Sequence, residues 1–479
     1  MSDRTHRTDS PEPSRRPRRI ESTRDRIDSK KQEIETKRQQ RHATLRGIID
    51  GWWDRLFSAI FGGTWNSQPR LYESGNAGRD YLLNTVGSIA WGTLFPLLTI
   101  VATQLAGVEN AGHFNMAFTT ATLLLYVGNY GVKTYQVSDI DEACSFASYL
   151  IHRLITCSLM MLLGYLYCLV RHYDNTMLLI SAGACGFRVV DALADTFEAR
   201  LQQQDKLYLA GISTAVRSVL GVVAFTLVLL ITRDLVPASI AMAISAVLSL
   251  LLLTAPLTHL ETPLSRRWRS IEVSDIFRDC FPAFLALFLF ALIEAVPKYA
   301  MEGVLPYESQ IYFSAIYFPA QAMLMVVGFV YRPQLVRLAT IWADPSKRVR
   351  FDLIVLAMLV VCDIVTLAGL AIARWILVPL NSALYATDFE TYRDAQYLMI
   401  LAGGLSAAID FLFQIITVLR QQATATRIYL AATALVVVAS IILVRVQGFY
   451  GAVWSYVGVM AALFLALGGH YLVVRIGSK

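Results

Sequence analysis

Charged side chains stand inside long apolar runs of this 479-residue chain. At membrane depth an ionisable residue is costly, and it normally faces a cavity or an oppositely charged partner. The run at 176–198 carries Arg188, Asp191, Asp195 and Glu198, which are spaced i, i+3, i+7 and i+10. Because this spacing keeps residues on one face of a helix, it predicts a polar stripe along a buried helix.

Cations in these runs are candidate ligands for a phosphate group, since arginine pairs with phosphate oxygens through two parallel N–H bonds. Arg217 has no acid within four residues along the chain. We predict a hydrated cationic cavity whose substrate-binding residues are Arg188, Arg217, Lys298 and Arg153.

Acids in the same runs are predicted to tune this cavity or to carry a coupling ion. These acids are Asp191, Asp195, Glu294, Asp363 and Asp410.

Simpler interpretations of these charges remain open. Arg188 with Asp191, and Glu294 with Lys298, have the spacing of ion pairs within one helix. Arg153 and Glu198 lie near the ends of their runs, where long side chains reach the membrane surface.

The composition places these charges in a membrane protein. Hydrophobic residues make up 55% of the chain, charged residues only 16%, and the mean hydropathy is +0.49. The apolar runs are about twenty residues long, the length of a transmembrane helix. We predict about twelve spans, at 80–103, 111–132, 147–169, 176–198, 207–231, 236–257, 277–300, 309–331, 351–378, 396–418, 427–444 and 450–474.

Two polar segments precede the spans. Residues 1–44 contain almost no apolar side chains and are predicted to be a disordered basic tail. Residues 1–46 hold fourteen Lys/Arg and eight Asp/Glu, whereas the rest of the chain has twenty-eight of each sign. Residues 45–62 place two tryptophans and other apolar residues at helical spacing, which predicts an amphipathic helix in the membrane interface.

Loop charges predict the orientation. Sixteen Lys/Arg occur in the loops on one side of the predicted spans and four on the other, which places both termini in the cytoplasm.

Similar strings recur in the two halves. Arg200-Leu201-Gln202-Gln203 corresponds to Arg420-Gln421-Gln422, and Asp191 and Asp410 precede them by nine and ten residues. The fold class is therefore predicted to be an all-α integral membrane protein with two six-helix lobes in a parallel repeat. The predicted lobes are 80–257 and 277–475, joined by a cytoplasmic linker at 258–276.

No enzyme signature accompanies the charges. The chain lacks a phosphate-binding Gly-x-x-x-x-Gly-Lys motif and a metal-binding His-Glu-x-x-His motif. Its six cysteines are not spaced as zinc ligands, so we expect them to be small apolar side chains buried in the fold. We expect no enzymatic activity, no cofactor, no metal and no nucleic-acid partner.

Two pairs of strings resemble bacterial O-antigen and polysaccharide flippases of the multidrug/oligosaccharidyl-lipid/polysaccharide exporter superfamily. The first pair is Gly112-His113-Phe114-Asn115-Met116-Ala117 and Gly128-Asn129-Tyr130-Gly131-Val132-Lys133-Thr134-Tyr135. The second pair is Ala295-Val296-Pro297-Lys298-Tyr299 and Tyr312-Phe313-Ser314-Ala315-Ile316-Tyr317.

The resemblance implies a two-lobed bundle around a cationic cavity in a bacterial plasma membrane. It implies alternating access that moves a polyprenyl-diphosphate-linked oligosaccharide to the outer leaflet for cell-surface polysaccharide biosynthesis. Membrane lipids are further expected partners, and the energy source stays open among a coupling ion, the membrane potential and the substrate gradient. Only Lys298 is carried over by its place in the motif, as a cavity residue. The chain departs from the family at Ser138-Asp139-Ile140, where relatives often have an arginine.

Two alternatives stay open at this point. A cation-coupled exporter of drugs or small molecules in the same superfamily would rely on acids such as Asp191, Asp195 and Asp410. A membrane glycan polymerase or ligase would usually need a large external loop, and the longest predicted one is near 379–395.

Overall fold

A computed structural model describes residues 77–139, 141–265, 267–331, 338, 341–342, 348–419 and 421–477. The predicted basic tail at 1–44 and the predicted amphipathic helix at 45–62 lie outside the described residues.

The described chain is almost entirely helical, which confirms the predicted all-α class. Many helices extend beyond the predicted spans, because polar turns continue the helix past each apolar run. The α-helices are α1 Ala77–Ala106, α2 Val108–Asn129, α3 Val132–Ser138, α4 Phe146–Val170, α5 Asn175–Gln203, α6 Leu207–Thr232, α7 Leu235–Ser249, α8 Ala255–Glu261, α9 Ser270–Met301, α10 Glu308–Tyr331, α11 Arg348–Ile372, α12 Val378–Tyr385, α13 Arg393–Val418, α14 Gln422–Gln447 and α15 Phe449–Gly477.

Two of the spans contain a wider π-helical turn. Leu250–Thr254 joins α7 to α8, and Ala373–Leu377 joins α11 to α12. Each π turn comes immediately before a helix with proline in its first turn, Pro256 and Pro379. A proline ring clashes with the carbonyl of the preceding turn, so a wider turn lets the chain continue as a helix.

The part of the chain that the structure describes holds eleven helices long and apolar enough to cross a membrane. The 22-residue helix α2 does not reach that hydropathy, yet at a rise of about 1.5 Å per residue it is about 33 Å long. Its polar residues Asn115, Thr119 and Thr120 are buried among other helices. Counting α2, the chain crosses the membrane about twelve times, as predicted.

The helices pack in the same pattern in both halves of the chain. We call Ala77–Glu261 the N half and Ser270–Gly477 the C half. In the N half α1 packs on α6, α2 on α5, α4 on α5 and α6 on α7. The corresponding pairs in the C half are α9 on α14, α10 on α13, α11 on α13 and α14 on α15. This is the arrangement expected of a parallel repeat.

The two ends of the bundle differ in how they join the halves. We call the end with residues 130–145 and 262–269 the basic end, and the end with residues 171–174 and 301–308 the distal end. At the basic end, only residues 262–269 separate the helical parts of the two halves. This segment is tied to the N half, since Phe146 N donates to Ser265 Oγ at 2.7 Å. Glu272 at the start of α9 accepts from Ser145 N and Ser148 Oγ, at 3.0 and 2.7 Å.

The contacts between the halves are uneven. Helix α2 packs on both α9 and α10, and Tyr130 near the basic end stacks on Phe284 at 4.4 Å between ring centroids. Helices α1 and α10 meet nearer the middle, where the Phe95 and Phe318 rings are 5.3 Å apart. Closer to the basic end, Val86 on α1 is 47% exposed and Val330 on α10 is 48% exposed.

Helices α1 and α6 cross at two glycines. A Cβ atom built on Gly211 would lie 2.4 Å from the carbonyl oxygen of Leu83, and one on Gly87 would lie 2.5 Å from the carbonyl oxygen of Gly211. Only a residue without a side chain permits this approach of backbone to backbone.

We predict that Gly211→Ala destabilises the bundle, because overpacking of this kind costs about 1–3 kcal/mol. The measurement is the melting temperature of the purified protein in detergent, which should fall by several degrees. Gly468→Ala is the control, since no atom lies within 4 Å of a Cβ at that position. An equal melting temperature for both variants would contradict the described crossing.

Candidate functional site

The polar stripe predicted on α5 is present. Asp174 caps the helix, with its side chain accepting from Met177 N at 3.0 Å, and the helix continues to Gln203. Arg188, Asp191 and Glu198 on this helix are at most 5% exposed. Such burial requires partners for each charge.

Arg217 on α6 is held by two acids from α5. Its Nε donates to Asp191 Oδ1 at 2.8 Å, and its Nη1 donates to Glu198 Oε1 at 2.6 Å. Arg217 is only 2% exposed. In this conformation the guanidinium group of Arg217 is therefore bonded to two carboxylates. Contact between Arg217 and a substrate remains a prediction.

Further donors complete the coordination of these acids. Trp91 Nε1 on α1 donates to Asp191 Oδ2 at 2.8 Å, and Ser213 Oγ donates to Glu198 Oε1 at 2.9 Å. Glu198 is thus buried and paired within the bundle rather than reaching the membrane surface.

Arg188 is partnered less completely than Arg217. Its Nη1 donates to Asp191 Oδ2 at 2.8 Å and its Nη2 to Thr122 Oγ1 at 3.2 Å. The guanidinium carbon lies 4.6 Å from the centre of the Phe118 ring, a cation–π distance. Among the described residues, the buried Nε of Arg188 has no hydrogen-bond acceptor. Arg188 therefore keeps a free donor for another ligand.

A second cluster lies nearer the basic end. Arg153 on α4 is 1% exposed and donates to Asp195 Oδ2 at 3.1 Å and to Thr196 Oγ1 at 2.8 Å. Lys133 on α3 donates to Asp195 Oδ1 at 2.8 Å, and its side chain is 45% exposed. Arg153 therefore lies in the protein interior, while the exposed Lys133 shares the same acid.

The two clusters carry an excess of positive charge. Four cations share three carboxylates: the cations are Lys133, Arg153, Arg188 and Arg217, and the acids are Asp191, Asp195 and Glu198.

Lys298 is the candidate cation from the C half. It is 3% exposed, and its Nζ donates to Thr119 Oγ1 on α2 at 3.2 Å. The ammonium group lies 5.2 Å from the centre of the Phe95 ring. Within the described chain no carboxylate comes within 4.0 Å of it, so it forms no salt bridge with Glu294.

Lys298 and Arg188 meet the same face of α2 from opposite halves. Their acceptors, Thr119 and Thr122, are spaced i, i+3, so the threonine side chains are neighbours on one helix face. The aromatic rings beneath the two cations, Phe95 and Phe118, are themselves in contact, with centroids 4.7 Å apart. The structure thus places these two predicted ligands against neighbouring threonines of α2.

Among the described residues, the remaining candidate acids form no salt bridge with these cations, although Glu294 is one helical turn from Lys298 on α9. Glu294 on α9 accepts from Gln321 Nε2 on α10 at 2.8 Å. Asp410 on α13 accepts a hydrogen bond from the hydroxyl of Tyr331. Asp363 is exposed on α11, and the described chain shows no bond between it and the other candidates.

Several site residues escaped the sequence analysis. Trp91, Thr119 and Thr122 carry no charge, so a search for ionisable residues in apolar runs passed over them. The sequence places Lys133 among the loop cations and in one of the family-like strings, and it gives no sign that Lys133 shares Asp195 with Arg153. Asp139 was noted only as a departure from the family, and its carboxylate accepts from Ala143 N at 2.8 Å and Cys144 N at 3.0 Å.

The arrangement is one of ion pairs and hydrogen-bond donors. The described residues contain no group of three or more His, Cys, Asp or Glu placed to hold a metal, and the six cysteines are buried and unpaired. The chemistry available at Lys298 and Arg188 is the binding of an anion.

Sequence comparison finds no protein-family model and no characterised protein that matches the chain. Comparison with solved structures finds similar folds. An inward-facing multidrug-resistance transporter of the MATE family in the MOP superfamily has a TM-score of 0.61 and 14% identity, over 82% of this chain and 98% of that one.

Two further structures have a related fold. The lipid II flippase MurJ, in an inward closed conformation, has a TM-score of 0.62 and 11% identity, over 81% of this chain and 86% of its own. A MOP-superfamily transporter from Pyrococcus furiosus has a TM-score of 0.51 and 14% identity, over 86% of this chain and 97% of its own. At these identities the chain shares a fold with the transporters and the flippase.

We predict that Arg217→Ala lowers the free energy of unfolding by about 3–5 kcal/mol, because it leaves buried carboxylates without their cation. Thermal unfolding in detergent measures the loss. The double variant Arg217→Gln with Glu198→Gln should recover much of it, since Asp191 keeps Arg188 and Trp91. If Arg217→Ala is as stable as the parent, the ion-pair network described here is wrong.

Proposed function

We propose that this multi-pass membrane protein is a flippase that moves a polyprenyl-diphosphate-linked oligosaccharide across a bacterial plasma membrane by alternating access. The product would serve cell-surface polysaccharide biosynthesis. The basic end is cytoplasmic in this proposal, as the loop charges predict, and both termini lie on that side.

The proposal rests on one observation: Lys298 and Arg188 each donate a hydrogen bond to a threonine of α2. Two cations from opposite halves donate to hydroxyls on one helix face, at 3.2 Å each. A diphosphate offers several acceptor oxygens, and charge-assisted bonds to phosphate are among the stronger hydrogen bonds. A ligand that displaces the two threonines would bridge the halves.

The conformation is consistent with loading from the cytoplasm. At the distal end Glu302 of the C half bonds to Tyr167 and Tyr173 of the N half. Nearer the basic end Asp195 and Lys133 are partly exposed, with side-chain exposures of 16% and 45%. We propose that these charges meet the substrate first and that Lys298 and Arg188 hold its diphosphate deeper in the bundle.

The predicted lobes at 80–257 and 277–475 are the moving bodies of this cycle, with 258–276 as the linker. Asp191 and Asp195 serve the cycle as partners of the cavity cations. Glu294, Asp363 and Asp410 are the proposed acids for a coupling ion. Membrane lipids are the other partners.

Glu294 favours a second candidate, a cation-coupled exporter of drugs or small molecules. The described chain places no cation within 4.0 Å of this partly buried carboxylate, which is bonded instead to Gln321. An unpaired interior acid attracts a cationic ligand or a coupling ion.

We predict that Lys298→Gln reduces flipping of a fluorescent polyprenyl-diphosphate glycan in proteoliposomes by at least about tenfold. The variant lacks a charged hydrogen bond of about 1.5–3 kcal/mol, and 1.4 kcal/mol corresponds to a tenfold change. Arg445→Gln, on an exposed side chain at the end of α14, is the control. Unimpaired flipping by the Lys298 variant would count against the proposed site.

Glu294→Gln separates the two candidates. In a flippase that uses Glu294 for coupling, the variant slows glycan transport and leaves drug resistance of the host unchanged. If the parent chain confers resistance to cationic drugs and Glu294→Gln abolishes it, the exporter is favoured. Minimum inhibitory concentrations for parent and variant, at equal expression, give the answer.

A further inference from the structure

The most heavily bonded acid at the distal end is Glu302, which follows the last residue of α9. Its side chain is only 1% exposed. The chain turns sharply behind it, because Gly303 has φ of +80°, a conformation that glycine adopts without strain.

Donors from both halves converge on this carboxylate. From the N half, Tyr167 OH donates to Oε2 at 2.8 Å and Arg171 Nη2 lies 3.0 Å from the same oxygen. The hydroxyl of Tyr173 donates to Oε1. From the C half, Tyr307 OH lies 3.3 Å from Oε1.

The tyrosines act as donors because they keep their protons. Burial, followed by the charge of Glu302, raises the pKa of Tyr307 to about 12. Burial and the hydrogen bond to Glu302 raise the pKa of Tyr173 well above its usual range. The cluster is therefore one carboxylate held by hydroxyl donors and a guanidinium group.

We propose that Glu302 is a charge-dependent latch that holds the distal end of the bundle closed. The inference rests on the proposed function in one respect, since it takes distal opening to be a step of the transport cycle. Opening separates Glu302 from Tyr167, Arg171 and Tyr173, which belong to the other half.

The interface behind the latch is polar enough to admit water once it parts. Ser314 Oγ on α10 donates to Asn115 Oδ1 on α2 at 2.9 Å, and Asn115 Nδ2 donates to Thr99 Oγ1 at 3.4 Å. All three residues are fully buried at 0% exposure. Their groups can exchange these bonds for bonds to water, so separation leaves no polar atom unsatisfied.

The latch also sits beside a tight contact. A Cβ atom on Gly112 of α2 would lie 2.2 Å from the carbonyl oxygen of Tyr307, and the His113 and Tyr307 rings stack at 3.9 Å. Gly112→Ala should therefore force the distal end apart by steric contact, independently of charge.

A buried reporter tests the latch. Ser314→Cys places a thiol in the closed distal interface, and the six native cysteines are buried. The full-length protein in nanodiscs is treated with a water-soluble maleimide, and the labelling rate is compared with that of a parent without the reporter. Slow labelling is expected while Glu302 is intact.

Glu302→Gln should raise the labelling rate by at least about fivefold, because the amide has no negative charge for Arg171 and its NH₂ group cannot accept the hydrogen bonds made to one of the two oxygens. Arg171→Gln should act in the same direction and serves if the first variant does not fold. Glu390→Gln, which removes an exposed acid paired with Arg393 at 2.8 Å, should leave the rate unchanged.

Gly112→Ala supplies the positive control. If this variant accelerates labelling while Glu302→Gln and Arg171→Gln do not, the distal end opens but Glu302 is not its latch, and the inference is overturned. The assay contains no substrate, so its result stands whether or not the protein flips a glycan.

Discussion

Burial of charge in a medium that solvates it poorly is the constraint on which the N half depends. Arg217 is placed between Asp191 and Glu198 because none of the three could be buried alone. Their pairing fixes α5 against α6, and Trp91 extends the same network to α1. The ion pairs therefore stabilise the fold, and the proposed substrate ligands are Lys298 and Arg188, whose Nε has no acceptor among the described residues.

The interface between the halves contains hydrogen bonds between uncharged polar groups, such as those of Ser314 and Asn115. Helix α2 does not reach the hydropathy of the eleven apolar spans, and it faces protein on several sides, including α9 and α10 across the interface. Hydroxyl and amide groups there form bonds that water can replace, whereas separating an apolar interface would expose its full area to solvent. Such groups would lower the cost of separating the halves in the proposed transport cycle.

The sequence was sufficient for the class of fold, the approximate positions of the spans and the polar stripe on α5, because hydrophobic length and helical period are local properties. The correspondence of Asp191 and Asp410 also pointed to the repeat, which the matching helix pairs of both halves now display. The pairing of Arg217 with Asp191 and Glu198 could not be predicted, because the two acids lie on another helix. Trp91 and the two threonines of α2 carry no charge, so nothing in the sequence distinguishes them from other residues of apolar runs. The simpler interpretation of Arg188 with Asp191 as a pair within one helix holds, whereas Glu294 and Lys298 do not form a salt bridge in the described structure.

The crossing of α1 and α6 has a mechanical consequence. With backbone meeting backbone at Gly87 and Gly211, there is no layer of flexible side chains on which the two helices could slide. A rearrangement that draws α1 away from α10 must move α6 together with α1 as one rigid body. The two glycines thus make α1 and α6 a single rigid unit in any such movement.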